Sequence, residues 1–233
     1  IDSTGYAAGR ADNPVSYVTK KIGDPIYFLQ TLTKPEENDL DNVSYNYFLG
    51  HTRWATKGEK TKEAAQPFSY LNIVGTHNGT IETKFDGFQS DSDALFHRIN
   101  EIGLKATVAG LSKNDSYAIA YLDKKTKTIN FLRNHKRPLY FAVHPKRNTL
   151  YYSSENGILH AALWRHAIDA KTFYFTEDTL FTFDPQRLRT KKDELNYKCT
   201  DIKIHESANN ADKTAPFDGG TKVETKEGPA ADV

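Results

Sequence analysis

Short apolar runs recur along the chain, and residues typical of turns separate them. Runs of this kind that are rich in β-branched and aromatic residues predict strands. The predicted strands are 5–8, 15–19, 26–32, 47–53, 72–77, 117–122, 129–133, 139–143, 150–153, 173–176 and 180–183. Polar stretches such as 123–128 join the later strands as hairpins. The chain is therefore predicted to be rich in β-sheet.

Two segments instead show the 3.6-residue spacing of an amphipathic helix. The first is 91–102, and Gly103 ends it. Its apolar face consists of Leu95, Phe96, Ile99 and Ile102. Asp91 and Asp93 lie in its first turn, where carboxylates complement the positive end of the helix dipole.

The second predicted helix is 155–168, with Ser154 as its N-cap. The residues predicted to face inward are Ile158, Leu159, Ala162 and Leu163. Strands and helices mix along the chain without strict alternation. This order favours an α+β layered fold over a doubly wound parallel sheet.

Composition limits the partners that the chain is expected to bind. With 233 residues, of which 38% are hydrophobic, it can bury one sizeable core. Its 31 basic and 30 acidic residues give a net charge of +1, too little for the positive field that attracts nucleic acid or an anionic membrane. The single cysteine excludes an internal disulfide framework, and no apolar run approaches the roughly 18 residues of a membrane span. We therefore expect no nucleic-acid or membrane partner, and a cytoplasmic location.

Both ends of the sequence are unusual. The chain begins at Ile1 and contains no methionine, so we expect an N-terminal piece to be absent from it. From about Glu206 large apolar residues almost disappear, which predicts one domain over 1–205 and a polar tail over 206–233. We expect this tail to be an extended arm docked on a protein partner.

The run 50–58 (GHTRWATKG) ends a predicted strand with a cation and an indole. The planar guanidinium of Arg53 suits a carboxylate, and Trp54 can form the rigid wall of a small pocket. A surface arginine stacked on a tryptophan at the edge of the core explains this pair equally well.

The run 75–81 (GTHNGTI) leads an apolar strand into Asn78-Gly79. Asn-Gly is first of all a turn signal, because both residues tolerate positive φ. It also places a side-chain amide beside an unobstructed backbone N–H, which an oxyanion hole requires.

These two runs, followed by Ser90-Asp91-Ser92-Asp93 at a helix start, resemble the glutaminase domain of class II glutamine amidotransferases. Asp2-Ser3-Thr4-Gly5 and the stretches 133–139 and 150–155 are also similar to that family, and the resemblance covers roughly residues 1–185. It implies an N-terminal-nucleophile hydrolase fold, which is a four-layer αββα sandwich of two antiparallel sheets between helices. It implies L-glutamine as the substrate and no cofactor or metal.

The resemblance also implies roles for single residues. Arg53 would pair with the α-carboxylate of glutamine, and Asp91 would accept from its α-ammonium group. Asn78 and Gly79 would form the oxyanion hole. The loop that closes over the substrate would be shaped by Trp54 and Thr56, followed by Lys57 where some family members have histidine. His77 would be a structural neighbour.

The nucleophile of this family is a cysteine at the mature N-terminus, and the chain as given does not contain it at that place. Cys199 lies beyond the recognisable domain and is expected to be an ordinary thiol. Two functions stay open: a glutaminase whose cysteine lies in a missing segment, and a non-catalytic component of a larger assembly such as a processed phage virion protein. A carbohydrate- or peptide-binding β domain would leave the combination of Arg53, Asn78-Gly79 and Asp91 to coincidence.

Overall fold

The computed structural model describes residues 1–13, 15–54, 60–83, 87–190 and 194–202. The strands are β1 Ser3–Gly9, β2 Ser16–Ile22, β3 Tyr47–Arg53, β4 Phe68–Ser69, β5 Ile73–Thr80, β6 Ser116–Asp123, β7 Thr128–Arg133, β8 Tyr140–Val143, β9 Leu150–Ser153, β10 Thr172–Tyr174, β11 Thr179–Phe183 and β12 Tyr197–Asp201. The helices are α1 Pro25–Gln30, α2 Lys34–Leu40, α3 Asp91–Ile102, α4 Leu104–Ala109 and α5 Asn156–Arg165.

The strands form three antiparallel sheets. One has six strands in the order β12-β11-β7-β6-β5-β4, and the other two have three strands each, β2-β1-β3 and β10-β8-β9. In β1 the register with β3 runs from Ser3 opposite Arg53 to Gly9 opposite Tyr47. The register of β5 with β6 runs from Ile73 opposite Asp123 to Thr80 opposite Ser116.

The main core lies between the six-stranded sheet and the two smaller sheets, which both cover the same face of it. Side chains of β1, β3, β8 and β10 meet those of β5, β6, β7 and β11 in one buried cluster. Stacked phenylalanines dominate its centre: the ring centroids of Phe131 and Phe175 are 4.7 Å apart, and those of Phe141 and Phe175 are 4.6 Å apart. Buried aromatic rings of this size contribute more apolar area than any other side chains.

Helices cover both outer faces of this double layer. On the far side of the six-stranded sheet, α3 and α4 pack Leu95, Phe96 and Val108 against it. On the opposite side, α1 places Phe28 on β1, and α5 places Leu159 and Leu163 on β8. The predicted α+β fold, a four-layer αββα sandwich, is therefore confirmed.

One predicted strand is wrong: the apolar run 26–32 is largely the helix α1. The carboxylate of Asp24 accepts hydrogen bonds from the N–H groups of Ile26 and Tyr27, and Pro25 occupies the first helical turn. Both features start helices. Ile26, Tyr27 and Leu29 point to solvent, so their apolar character does not report strand burial.

The second predicted helix has different details from those expected. Glu155, not Ser154, is the N-cap residue of α5, and it makes no side-chain capping bond. Leu159 and Leu163 are buried as predicted, but Ile158 is 61% exposed and Ala162 is also exposed. In the first predicted helix, α3, the bounds agree with the prediction, although Ile102 at its end is half exposed.

Four elements, α2, α4, β4 and β12, were not predicted. The polar tail expected at 206–233 and its contact with a partner lie outside the described residues. Within the described ranges, no helix is both long and apolar enough to cross a membrane.

Candidate functional site

The candidate site lies where β3 packs on β5, between the small sheet of β1–β3 and the six-stranded sheet. Leu49 of β3 belongs to the core between the sheets, so Arg53, which lies on the same face of the strand, also faces the six-stranded sheet. Val74 of β5 belongs to the same core, so Asn78 faces back towards β3. The cation and the amide that the sequence singled out thus point into the same space between the sheets.

The Asn78-Gly79 pair is not a turn. It continues β5, with Asn78 opposite Ala118 and Gly79 opposite Tyr117 of β6. Gly79 has a φ of +153°, and a Cβ added to it would lie 1.9 Å from the carbonyl oxygen of Ser116. The backbone at this position therefore requires glycine.

Asp91, the first residue of α3, links this helix to the end of β5. Its Oδ2 accepts a hydrogen bond of 2.8 Å from the N–H of Ile81, and its Oδ1 accepts one of 2.9 Å from the N–H of Ser92. Ser90 is the N-cap, accepting from the N–H of Asp93. Asp91 thus contacts the backbone at Ile81, two residues after Gly79.

His77 is buried in a polar network that joins β5 to α3. Its Nδ1 lies 2.8 Å from the Ser92 hydroxyl, and its Nε2 lies 3.3 Å from the Ser116 carbonyl oxygen. Because a carbonyl only accepts, Nε2 carries the proton and Nδ1 accepts from the Ser92 hydroxyl. Burial lowers the pKa of His77, so the ring is neutral and fixed in place. His77 directly precedes Asn78 and Gly79, the residues predicted to form an oxyanion hole.

Gln66 holds the other side of this network. Its Oε1 accepts from the N–H of His77 at 2.6 Å, and its Nε2 donates to the His77 carbonyl at 2.9 Å and to the Ser92 hydroxyl at 3.3 Å. This buried glutamine thus fixes the residue that precedes Asn78. Gln66 and Ser116 could not be singled out from the sequence, because a single glutamine or serine gives no periodic or spacing signal. Ser92 stands in the run 90–93, but no role was expected for it.

His51 lies beside His77 on the facing strand. Burial, with smaller contributions from the neighbouring His77 ring and the Arg53 charge, lowers its pKa to about 4. Its Nδ1 has no hydrogen-bond partner among the described residues. A neutral imidazole therefore packs between Arg53 and the β5 backbone.

The other predicted site residues lie at the edge of this region or beyond it. Trp54 follows the last residue of β3 and is 75% exposed. The segment after it, 55–59, lies outside the described residues, so the role of Trp54 in the pocket stays a prediction. Thr56 and Lys57 lie outside the described residues. No group of three or more His, Cys, Asp or Glu side chains within the described ranges is placed to hold a metal ion.

Cys199 is remote from the site. It lies on β12, four strands away from β5 in the six-stranded sheet, which corresponds to about 19 Å at the usual strand spacing. Burial, assisted by the charge of Asp201, raises the pKa of its thiol to about 12. A thiol of this kind is a poor nucleophile at neutral pH.

Comparison with known proteins gives a consistent set of relatives, although no family model matches the chain. The chain is 26% identical over 166 residues to the glutamine–fructose-6-phosphate aminotransferase (isomerizing) of Lactococcus lactis, which covers 61% of this chain and 27% of that protein. It is 38% identical over 118 residues to the protein of the same name from Halalkalibacterium halodurans, covering 41% of this chain and 19% of that protein. The chain thus matches about a quarter or less of the length of these relatives.

Two solved structures share the fold. The glutamine phosphoribosylpyrophosphate amidotransferase of B. subtilis superimposes with a TM-score of 0.59 and 16% identity, over 89% of this chain and 44% of that one. An allosteric regulatory enzyme of purine biosynthesis superimposes with a TM-score of 0.60 and 17% identity, over 89% of this chain and 43% of that one. At this identity the likeness concerns the fold.

Proposed function

We propose that this chain is a class II glutamine amidotransferase-like domain, which its similarity to the two glutamine–fructose-6-phosphate aminotransferases supports, and that the space between β3 and β5 binds L-glutamine. Arg53 pairs with the α-carboxylate, and Asp91 accepts from the α-ammonium group. The side-chain amide of Asn78 and the N–H of Gly79 point to the side-chain carbonyl of the substrate, where an oxyanion would form.

One observation carries this proposal: Arg53 and Asn78 face each other across the two sheets, and Asp91 accepts a hydrogen bond from Ile81, which directly follows the strand that holds Asn78. A planar cation, an acidic group and an amide beside a glycine N–H match the three polar parts of glutamine. The names of the similar proteins also include glutamine.

Hydrolysis to glutamate and ammonia requires a nucleophile as well as this pocket. The amide carbon is attacked by a thiolate, a thioester forms as ammonia leaves, and water then releases glutamate. The only thiol in these 233 residues is Cys199, which is remote and weakly acidic. We therefore expect this chain to bind glutamine without hydrolysing it, until a cysteine is supplied to the pocket by other sequence.

The test is a calorimetric titration of the 233-residue chain with L-glutamine, L-glutamate and D-glutamine. We expect both L-amino acids to bind and D-glutamine to bind at least tenfold more weakly. Arg53→Lys retains the charge but loses the planar fork, and should weaken binding of the L-amino acids about tenfold or more. Arg147→Lys, in the exposed turn between β8 and β9, is the matched control.

Unchanged affinity in Arg53→Lys would remove Arg53 from the site. Equal affinity for L- and D-glutamine, or no binding to either by the unaltered chain, would contradict the proposal itself. Urea unfolding of each variant shows whether a loss of binding merely follows a loss of fold.

A further inference from the structure

Ser3 has a buried hydroxyl without a partner at the edge of the candidate site. The residue is 2% exposed, and among the described residues nothing forms a hydrogen bond with its Oγ. Burying a hydroxyl without a hydrogen bond costs free energy, so native proteins contain few such groups, and each one calls for an explanation such as a functional role or a bound water or ion.

The neighbouring positions of β1 do not share this property. Thr4 faces the opposite side of the strand, where its hydroxyl donates to the Gly23 carbonyl at 3.0 Å. Gly5 lies on the same face as Ser3 and packs closely on the backbone at Gln66, because an added Cβ would lie 2.3 Å from the Gln66 carbonyl oxygen. Ala7, the next residue on this face, belongs to the main core. Ser3 is thus the polar end of a face that is otherwise closely packed.

The register places Ser3 directly opposite Arg53 in the β1–β3 pair. Residues opposite each other in antiparallel strands lie on the same face, with Cβ atoms about 5 Å apart. The Ser3 hydroxyl and the Arg53 guanidinium therefore enter the same space between the sheets from adjacent strands.

We propose that Ser3 is a substrate-contact residue whose hydroxyl donates a hydrogen bond to the α-carboxylate that Arg53 holds. This inference rests on the proposed function and adds a residue to it. A carboxylate can accept about four hydrogen bonds, of which the guanidinium fork takes two, so a hydroxyl beside the fork finds an open acceptor. Binding of the amino acid thereby satisfies a hydroxyl that the free protein buries at a cost.

The experiment compares Ser3→Ala with the unaltered chain, using ligands with and without the carboxylate. L-glutamate and L-glutamine carry it, whereas 4-aminobutanamide is glutamine without it. Dissociation constants are measured by NMR titration. We expect Ser3→Ala to weaken binding of both amino acids about tenfold and to leave binding of 4-aminobutanamide unchanged.

Ser16→Ala is the matched control, because it removes a serine hydroxyl at the other end of the β1–β2 pair, about 20 Å away along the strands. It should leave all three dissociation constants unchanged. A second measurement, urea unfolding without ligand, should give Ser3→Ala a midpoint equal to or higher than that of the unaltered chain, because the variant loses an unpartnered polar group.

The outcomes separate this inference from the proposed function. If Arg53→Lys loses affinity and Ser3→Ala does not, the Ser3 contact is wrong and the glutamine site stands. If Ser3→Ala weakens all ligands equally, or lowers the unfolding midpoint without ligand, the hydroxyl has a structural role and the inference is overturned. If the unaltered chain binds neither amino acid, both proposals fall together.

Discussion

Gly79 occupies a position where the backbone conformation and the neighbouring strand leave no room for a side chain. Its φ of +153° and the 1.9 Å that would separate a Cβ from the Ser116 carbonyl oxygen exclude any side chain without movement of β5 or β6. We expect Gly79→Ala to lower the free energy of unfolding by on the order of 3 kcal/mol, as overpacking and backbone strain combine. Urea unfolding followed by circular dichroism measures this change.

Gly157 provides the control for this substitution. It lies in the first turn of α5, and an added Cβ would meet nothing within 4 Å. Gly157→Ala should be neutral or stabilising by up to about 1 kcal/mol, since alanine is the better helix former. Equal effects of the two substitutions would contradict the close approach of the β6 backbone at Gly79.

His51 makes the stability of the protein depend on pH. Its pKa of about 4 in the folded chain is below its ordinary value of 6.5, so as the pH falls the unfolded chain binds the proton first. His51 therefore contributes its full stability above about pH 6.5, and this contribution is lost as the pH falls towards 4, by roughly 3 kcal/mol in total. Burial lowers the pKa of His77 too, so its contribution has the same sign.

The measurement is the free energy of unfolding in urea at several pH values between 4 and 7. We expect His51→Gln to reduce the slope of this free energy against pH, because one group that gains a proton on unfolding is gone. His166→Gln, at the exposed end of α5, controls for the loss of an imidazole. An unchanged slope in His51→Gln would show that this ring does not resist protonation in the folded chain.

Helix α1 shows what a cap contributes to a whole element. The helix has six residues, buries only Phe28, and depends on the Asp24 carboxylate for two of its first N–H groups. Asp24→Ala should cost about 1 kcal/mol of stability. Asp169→Ala, an exposed carboxylate between α5 and β10, should cost less than about 0.5 kcal/mol. Similar losses in both variants would argue against the cap.

The same helix explains why part of the fold could not be predicted from the apolar pattern. Strands β3 and β9 have the predicted bounds, and in β3 buried and exposed residues largely alternate, as expected for a strand with one face on the core. The run 26–32 was predicted as a strand although its apolar side chains point to solvent, and Asp24-Pro25 was the better signal. Helix α2 also begins with a capping box, Thr33 and Glu36, that was overlooked.

Some residues of the candidate site could be predicted from the sequence, and others could not. Arg53, Asn78, Gly79 and Asp91 could be singled out because each stands in a run of neighbours that resembles a known family. Gln66, His51 and Ser92 acquire their importance from residues distant in sequence, since the fold brings strands β3 and β5 and helix α3 together. His51 and Ser92 stand in the recognised runs 50–58 and 90–93, but their contacts follow from the packing of the layers and not from those runs.

At the scale of the whole molecule, the four layers separate the candidate pocket from the only thiol. The pocket lies at the β5 side of the six-stranded sheet, and Cys199 lies on β12 at the other edge. The thiol pKa of about 12 leaves almost no thiolate at pH 8. The pocket and Cys199 therefore cannot cooperate in attack on a glutamine amide.

This separation predicts that an electrophilic glutamine analogue, such as 6-diazo-5-oxo-L-norleucine, will leave the folded chain unmodified. It also predicts that the chain will release no more ammonia from L-glutamine than a Cys199→Ser control does. Intact mass spectrometry detects an adduct, and iodoacetamide in urea confirms that the thiol reacts once the chain unfolds. A stoichiometric adduct on Cys199 of the folded chain would place the thiol at the pocket and contradict the arrangement of the sheets. Protection of the folded chain, together with binding of L-glutamine, would identify a glutamine pocket that recognises the amino acid without using Cys199.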